Sequence, residues 1–498
     1  MKSSNSGYIL SFDQGTTSSR AILFNHEGSI VAQAQKQLRQ YYPEPGWVEQ
    51  DANEILESQL AVAREAITKA GIGPEEIVSI GITNQRETVV MWDKDSGRPV
   101  YRAIVWQCRR STAICEELIS SGLEDEFRAR TGLRLDPYFS GTKLCWLFRE
   151  IPGLKALAEN GEILFGTVDS WLLWNLTGRH ETDITNASRT LLFNINDGAW
   201  DPMLLSVLGI PSQVLPKIRS SSDDFGVTKP NLFGASIPVS GVVGDQQAAL
   251  FGHACFSPGM AKNTYGTGCF SLLNTGSKPV WSKKNLLTTV AWRIGGKTTY
   301  ALEGSVFIAG AVIQWLRDEM RFIETAEESE KISRSIPDTG GVYLVPAFVG
   351  LGAPYWDPEA RGTIVGITRG ITPAHLVRAA LESIAYQSED LIAAMGTDCG
   401  KPVESIKADG GATANSFLMQ FQADISGRPV MLPEIAESTA LGAAYMAGLS
   451  CGYWGGFAEI ENNWRLRRRF EPDMTEVDRR KRLALWHKAV QAAREYKK

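Results

Sequence analysis

The sequence predicts a two-domain α/β protein, and three observations carry that expectation. Its 498 residues exceed what a single hydrophobic core holds. Apolar strand-like runs alternate with helix-patterned segments along the chain. A strand, a Gly/Thr turn and a second strand occur near the N-terminus and again about halfway along, which suggests two similar halves. With 43% hydrophobic and 21% charged residues, the chain is expected to fold throughout.

Each element has its own local reason. In Tyr8 to Asn25, β-branched and aromatic residues flank Gly15, the pattern of a hairpin. The same plan returns in Gly259 to Gly276, with Tyr265-Gly266-Thr267-Gly268 at the turn. Between them, Leu56, Leu60, Ala63 and Ile67 keep helical spacing behind Asp51, with Glu54 three residues on, so a capped helix is expected over Asp51 to Ala70. Ile77 to Val100 reads as two apolar strands divided by a polar patch, with Asp95-Ser96-Gly97 as a turn. Ser405 to Ala408 reads as a strand leading through Asp409-Gly410-Gly411 into a helix over Asn415 to Ile425. Leu483, Trp486, Val490 and Ala493 mark one face of a packing helix over Glu476 to Tyr496.

The balance of charge narrows the partners. A net charge of -5 offers no basic field for nucleic acid or an anionic membrane surface, so a small-molecule partner is expected. The uncharged stretch Ser438 to Ala458 is the best membrane candidate, but its five glycines (Gly442, Gly448, Gly452, Gly455, Gly456) favour a buried helix and turn. No signal-peptide core precedes Asp13, which points to a cytoplasmic protein. Seven cysteines with no CxxC pair, and five scattered histidines, argue against a disulfide framework and a protein-built transition-metal site.

Phosphoryl transfer needs donors for phosphate oxygens, a divalent cation held by carboxylate and water, and a base at the attacking hydroxyl. The first hairpin turn offers Gly15, the hydroxyls of Thr16, Thr17 and Ser18, the fork of Arg20, and Asp13 at the strand end to hold magnesium. In isolation such a string is a solvated turn; an apolar-flanked Asp and a second Gly-Thr-Gly turn at Thr267 shift the balance toward phosphate. Gly296-Lys297-Thr298 lacks the earlier glycine of a P-loop and is expected to be a surface turn. Asp245, between an apolar strand and a helix, is either the helix cap or a base at a strand's C-terminal edge, and spacing leaves both open. Arg86 and Glu87, between two apolar runs, either pair around a polar ligand or lie on an exposed hairpin. Trp106 and Phe270 are candidate apolar walls or plain core, and Gly411 follows a DG step that is either a nucleotide loop or a turn.

Together these segments resemble the FGGY carbohydrate kinases, and within them the glycerol-phosphorylating branch, from Tyr8 to about Gly456. YFSGTKLCWLFRE (138–150) fits the family's first signature and GTIVGITRGITPAHLVRAALE (362–382) its second; GITNQRE, IVWQCRR, GDQQAALFG, AKNTYGTGCF and WLRDEM add to the match. The resemblance implies two actin-like domains of the ribonuclease H type, 1–252 and 253–498, with glycerol and Mg-ATP meeting in the cleft between them. It implies that Asp245 is the general base, that Asp13 organises Mg2+ with Asp245, and that Arg20 meets the phosphates. It places Arg86, Glu87, Trp106, Tyr138, Asp245, Gln246 and Phe270 at glycerol. Thr16, Thr17, Ser18, Arg20, Thr267, Gly310, Gln314, Gly411 and Asn415 fall at the nucleotide. The implied reaction makes sn-glycerol 3-phosphate and ADP in glycerol catabolism, in a homo-oligomer, dimer or tetramer. Two regulatory devices of bacterial members find no match: VTKPNLFGASIP (227–238) has no arginine for a sugar bisphosphate, and no histidine lies between His180 and His253 for phosphorylation. The rival expectations are a family member acting on another polyol or sugar, and an actin-like ATPase with no small acceptor.

Overall fold

The computed structural model describes residues 7–496. Two large sheets organise it, and only their strands and the helices that bear on the site are numbered below. The first sheet holds β1 (Tyr8–Gln14), β2 (Ser18–Phe24), β3 (Ile30–Gln37), β4 (Ile77–Asn84) and β5 (Val239–Gly244), in the order β5-β4-β1-β2-β3. The second holds β6 (Ala261–Tyr265), β7 (Cys269–Gly276), β8 (Leu287–Ile294), β9 (Lys297–Val306), β10 (Ile406–Asp409), β11 (Val430–Pro433) and β12 (Leu466–Phe470), in the order β8-β9-β7-β6-β10-β11-β12.

Without its edge strands β8 and β12, the second sheet repeats the first. In each, an antiparallel hairpin is extended by a third antiparallel strand on one side and by two parallel strands on the other. The echoed hairpins of the sequence are the founding pair of each sheet, and Gly296-Lys297-Thr298 lies at the β8–β9 turn.

Both faces of the first sheet are covered, which explains why Ile9, Leu10 and Phe12 of β1 are all buried although Ile9 points to one face and Leu10 and Phe12 to the other. Leu10 and Phe12 pack with helix α1 (Ala52–Ala70). Ile9, Ile22 and Phe24 pack with a helix from far along the chain, which will be α7 (Ser438–Ser450). Asp51 caps α1 by accepting from the backbone N–H groups of Asn53 and Glu54. Glu54 does not complete a capping box, because its Oε1 accepts from the Arg39 N–H. The buried face of α1 centres on Ile55, Val62 and Ala66, with Leu56 only partly covered.

In the glycine-rich 438–458 stretch the helix is buried because small residues let backbones meet, while in the turn after it Tyr453 and Trp454 are buried and Cys451, Gly452 and Gly455 are exposed. A Cβ on Gly442 would lie 1.9 Å from the Ala248 carbonyl oxygen, and one on Gly81 would lie 2.2 Å from that of Ala443. Hence α7 wedges between the first sheet and helix α3 (Asp245–Gly252). A linear division into 1–252 and 253–498 assigns α7 to the second half, while its packing partners lie in the first. Among the described residues, no helix is long and apolar enough to cross a membrane.

Candidate active site

Three neighbouring parallel strands, β1, β4 and β5, end in register, with Asn84 opposite both Gln14 and Gly244. Residues just beyond those ends therefore converge at the carboxyl edge of the sheet, where open α/β sheets bind ligands. The pair Arg86 and Glu87 and Asp245 are those residues, and Asp13 is the last residue but one of β1.

Asp245 is not the helix cap. The cap position belongs to Gly244 and Asp245 is the first residue of α3. Its Oδ1 accepts from the Gln246 backbone N–H (2.7 Å) and lies 3.1 Å from Arg86 Nε. The side chain remains 30% exposed, so the carboxylate is still reached by solvent.

Arg86 and Glu87 are buried, which removes the exposed-hairpin reading. Arg86 Nη1 and Nη2 donate to the two carboxylate oxygens of Glu303 on β9 (2.7 and 2.8 Å), and Nη1 also reaches Gln247 Oε1. Arg189 Nε donates to Glu87 (2.6 Å) and its Nη2 to Glu303 (3.0 Å). Two guanidinium groups and two carboxyls thus close a buried ring, the arrangement that makes desolvated charge tolerable. Arg189 and Arg86 hold Glu303 down to about 2, against the opposing effect of burial. Glu87, where burial outweighs the two arginines, is pushed up. Glu87 also adopts a left-handed backbone, φ 61°, an unusual conformation for a side-chain-bearing residue and a common one at functional turns.

Around this ring stands an aromatic wall. Trp106 meets Tyr138 and Phe270 edge-on, at centroid distances of 5.5 and 6.4 Å. The Trp106 indole N–H donates to Thr16 Oγ1 (2.9 Å), tying that wall to the first turn. Two buried lysines brace the wall from behind. On helix α2 (Ser140–Glu150), Lys143 Nζ donates to the Tyr138, Phe139 and Glu87 carbonyls; on β6, Lys262 Nζ donates to Gln246, Thr264 and the Phe270 carbonyl. Burial lowers each ammonium to about 8.

The first turn is more occupied than its sequence suggests. Arg20 Nη1 donates to Glu437 (2.7 Å), and the Ser18 hydroxyl accepts from Gln35 Nε2 (3.0 Å). Thr17 is exposed. Asp13 is pushed up to about 6, mainly by burial, with Arg20 opposing and the Glu437 and Asp245 carboxylates adding to the rise.

The second turn gathers the other glycines. Ala309 N and Ala311 N donate to the Thr267 carbonyl, and Gly310 N to that of Gly266 (3.0 Å), seating helix α4 (Gly310–Asp318) against the turn. A Cβ on Gly310 would lie 2.7 Å from the Gly266 oxygen. Gly410, with φ 91°, passes the Tyr265 backbone so closely that a Cβ would meet its oxygen at 2.5 Å. Gly411 has open space beside it, and beyond helix α5 (Pro373–Cys399) and β10, Asn415 caps helix α6 (Ser416–Ser426) by accepting from Leu418 N. Gln314 is exposed on α4.

A profile of the FGGY family of carbohydrate kinases, N-terminal domain, matches residues 8–252, and that of its C-terminal domain matches 261–451. The chain belongs to the FGGY family of carbohydrate kinases. Among curated FGGY relatives, the glycerol kinase of Caldanaerobacter subterraneus subsp. tengcongensis is 58% identical over 488 residues, 98% of each chain. Glycerol kinase 2 of Thermotoga maritima is 58% identical over 485 residues, 97% of this chain and 98% of its own. The crystal structure of Plasmodium falciparum glycerol kinase with ADP superposes at a TM-score of 0.92 with 36% identity, covering 98% of both chains. Xylulose kinase from Lactobacillus acidophilus, at 22% identity and TM-score 0.87, shares the fold.

The two-domain FGGY architecture expected from the sequence is the one observed. Sequence reasoning did not single out Glu303, Arg189, Lys262, Lys143 or Glu437. Glu303 beside Ala301 and Leu302 on β9, and Lys143 among the buried residues of α2, are charges in buried runs, a signal that a buried partner exists; Arg189 in Ser-Arg-Thr and Lys262 in Ala-Lys-Asn-Thr have polar neighbours that blunt that signal.

Proposed function

We propose that this FGGY kinase transfers the γ-phosphoryl group of ATP to a terminal hydroxyl of glycerol, giving sn-glycerol 3-phosphate and ADP. Relatives at 56–58% identity over nearly the whole chain support the substrate. The observation that carries the chemistry is the half-free Asp245 carboxylate. Arg86 and the Gln246 N–H occupy Oδ1, so Oδ2 is the oxygen left to take the hydroxyl proton.

In this reading the acceptor lies between the ring of Arg86 and Glu87 and the wall of Trp106, Tyr138 and Phe270. Three of the Arg86 hydrogen bonds hold it rigid, and a remaining Nη2 hydrogen faces a polyol oxygen, while the second Glu87 oxygen accepts from a polyol hydroxyl. Preorganised groups of this kind reduce the entropy cost of reaching the attack geometry. The phosphate chain lies along the turns at Thr16, Thr17, Ser18 and Thr267, and Arg20 exchanges Glu437 for a phosphate oxygen. Gly310, Gln314, Gly411 and Asn415 receive the nucleoside end.

Magnesium suits this site. The described residues contain no cluster of three or more metal-binding side chains, and Mg2+ in kinases is held by one or two carboxylates with water and phosphate. Asp13 and Asp245 are those carboxylates here; burial raises the Asp13 pKa, the Glu437 and Asp245 carboxylates add to the rise, and a cation would relieve the cost of its charge. Held by Asp13 and Asp245, the ion would supply charge neutralisation at the transferring phosphoryl group. ATP dependence and cysteines without disulfide partners fit the cytoplasm. Apolar side chains exposed at Phe348, Val349, Ile364 and Ile367 support a homo-oligomer.

Initial rates of ADP release with glycerol, erythritol, xylulose and no acceptor test the reading. Release should depend on glycerol; preference for a pentulose, or turnover indifferent to every polyol, overturns it.

A further inference from the structure

Lys262 lies on β6 of the second sheet, is fully buried, and reaches toward α3, which begins at Asp245. Its ammonium has three N–H donors and meets three acceptors: Gln246 Oε1 at 2.5 Å, Thr264 Oγ1 at 2.9 Å and the Phe270 carbonyl at 3.2 Å. No donor is left for a ligand, so any effect of Lys262 on the reaction passes through those partners. Two of the three, Gln246 and Phe270, border the acceptor pocket.

An ammonium only donates, so the Gln246 atom it meets must be the amide oxygen. The amide NH2 therefore points the other way, and among the described residues Nε2 donates to nothing. Asp245, one residue earlier in the chain, has Oδ1 occupied and Oδ2 free. A hydroxyl at this spot would give its proton to Asp245 and accept from Gln246 Nε2, a complementary pair of contacts for one oxygen.

We propose that Lys262 is a positioning residue that fixes the Gln246 side-chain amide with its NH2 toward the acceptor, making Gln246 an obligate donor to a polyol oxygen. This rests on the functional reading above. The contact crosses from the second sheet to the start of α3, so the polarity of the acceptor pocket is set from the nucleotide half of the molecule. The charges facing Lys262 are Asp409, Asp245 and Glu303, with Arg86 opposing, and burial brings its pKa down to about 8.

The experiment is steady-state kinetics with glycerol and ATP varied separately. If the unmodified protein releases no ADP in response to glycerol, the functional reading fails and Lys262 is not at issue. If it does, Lys262→Met should raise the glycerol KM by about three- to tenfold, the scale of one lost neutral hydrogen bond, and leave the ATP KM within about twofold. In a Gln246→Ala background the same change should add almost nothing, because the route is already cut. Gln246→Glu keeps an oxygen toward Lys262 but removes the NH2, and should raise the glycerol KM equally even if Lys262→Met does not fold. A glycerol KM within twofold of the original in either single variant, equal rises in both KM values, or full multiplication of effects in the double variant overturns the proposal.

Discussion

Glu303 on the second sheet grips Arg86 beyond the first with both carboxylate oxygens, at 2.7 and 2.8 Å. The pair spans 217 positions of sequence and is 2% exposed at each end. It joins the two sheets through a residue that the proposed function places at the acceptor. Removing one member strands the other as a buried charge, and Arg189 loses a partner as well. Glu303→Ala should therefore destabilise the protein by about 3–5 kcal/mol. Glu303→Gln, which keeps shape and one acceptor, should cost less and raise the glycerol KM more than the ATP KM. Thermal unfolding and initial rates check the two effects; unchanged unfolding of Glu303→Ala would contradict the buried-ring account.

Asp245→Asn separates chemistry from folding. The side chain is 30% exposed, so the fold should tolerate an amide of the same size. With Asp245 as the proposed base, the proton acceptor is lost, and kcat should fall by about 10² to 10⁴. Near-normal turnover by a variant with an unchanged unfolding midpoint would move the base elsewhere.

The polar half of this site shows what can be read before folding and what cannot. Both hairpins were visible because apolar alternation broken by Gly-Thr is a local signal, and Asp51 announced its helix for the same reason. The placement of Arg86 and Glu87 between apolar runs was a correct warning of buried charge, yet it named no partner. Glu303 in YALEGSV and Lys262 in GMAKNTY carry a fainter form of the same warning: each is a charge at a fully buried position of a strand that also holds polar residues. Their meaning emerges only when β6 and β9 stand beside the first sheet's carboxyl edge, since nothing local links position 86 to 303 or 246 to 262. The Arg20 contact with Glu437 was hidden for that reason too, because α7 returns to the first sheet from more than four hundred residues away.

Asp13 should trade stability for function. Its pKa is raised from 3.8 to about 6 in the folded protein. For an acid shifted upward, the associated stability is complete below the unfolded pKa and is lost as pH rises through the folded one. At pH 8 the carboxylate therefore strains the ligand-free protein, and Asp13→Asn should raise its stability by about 1–3 kcal/mol while abolishing most turnover. The two proteins should unfold alike near pH 3.5. In the unmodified protein, activity should fall as pH drops below about 6, and higher Mg2+ should move that limb to lower pH, because cation and proton compete for the carboxylate. An acid limb that ignores Mg2+ would detach Asp13 from the cation.

Gly442 tests whether the long-range packing of α7 reaches the chemistry. A methyl group there would sit 1.9 Å from the Ala248 carbonyl oxygen, a backbone atom that cannot rotate away. Gly442→Ala must therefore push α7 and α3 apart, and overpacking of this kind costs about 1–3 kcal/mol. Ala248 lies one helical turn from Asp245 on α3, so the displacement falls on the helix that aims the carboxylate at its acceptor. The unfolding midpoint should drop, and kcat should fall by about tenfold or more at temperatures where the variant is still folded, since errors near an ångström in a catalytic group cost that order. Gly448→Ala is the control: its new methyl would strike the Trp454 ring, 2.1 Å away at the far end of α7, lowering stability while leaving kcat of the folded fraction nearly unchanged. Equal loss of kcat in both variants would mean that α7 supports the fold without aiming Asp245.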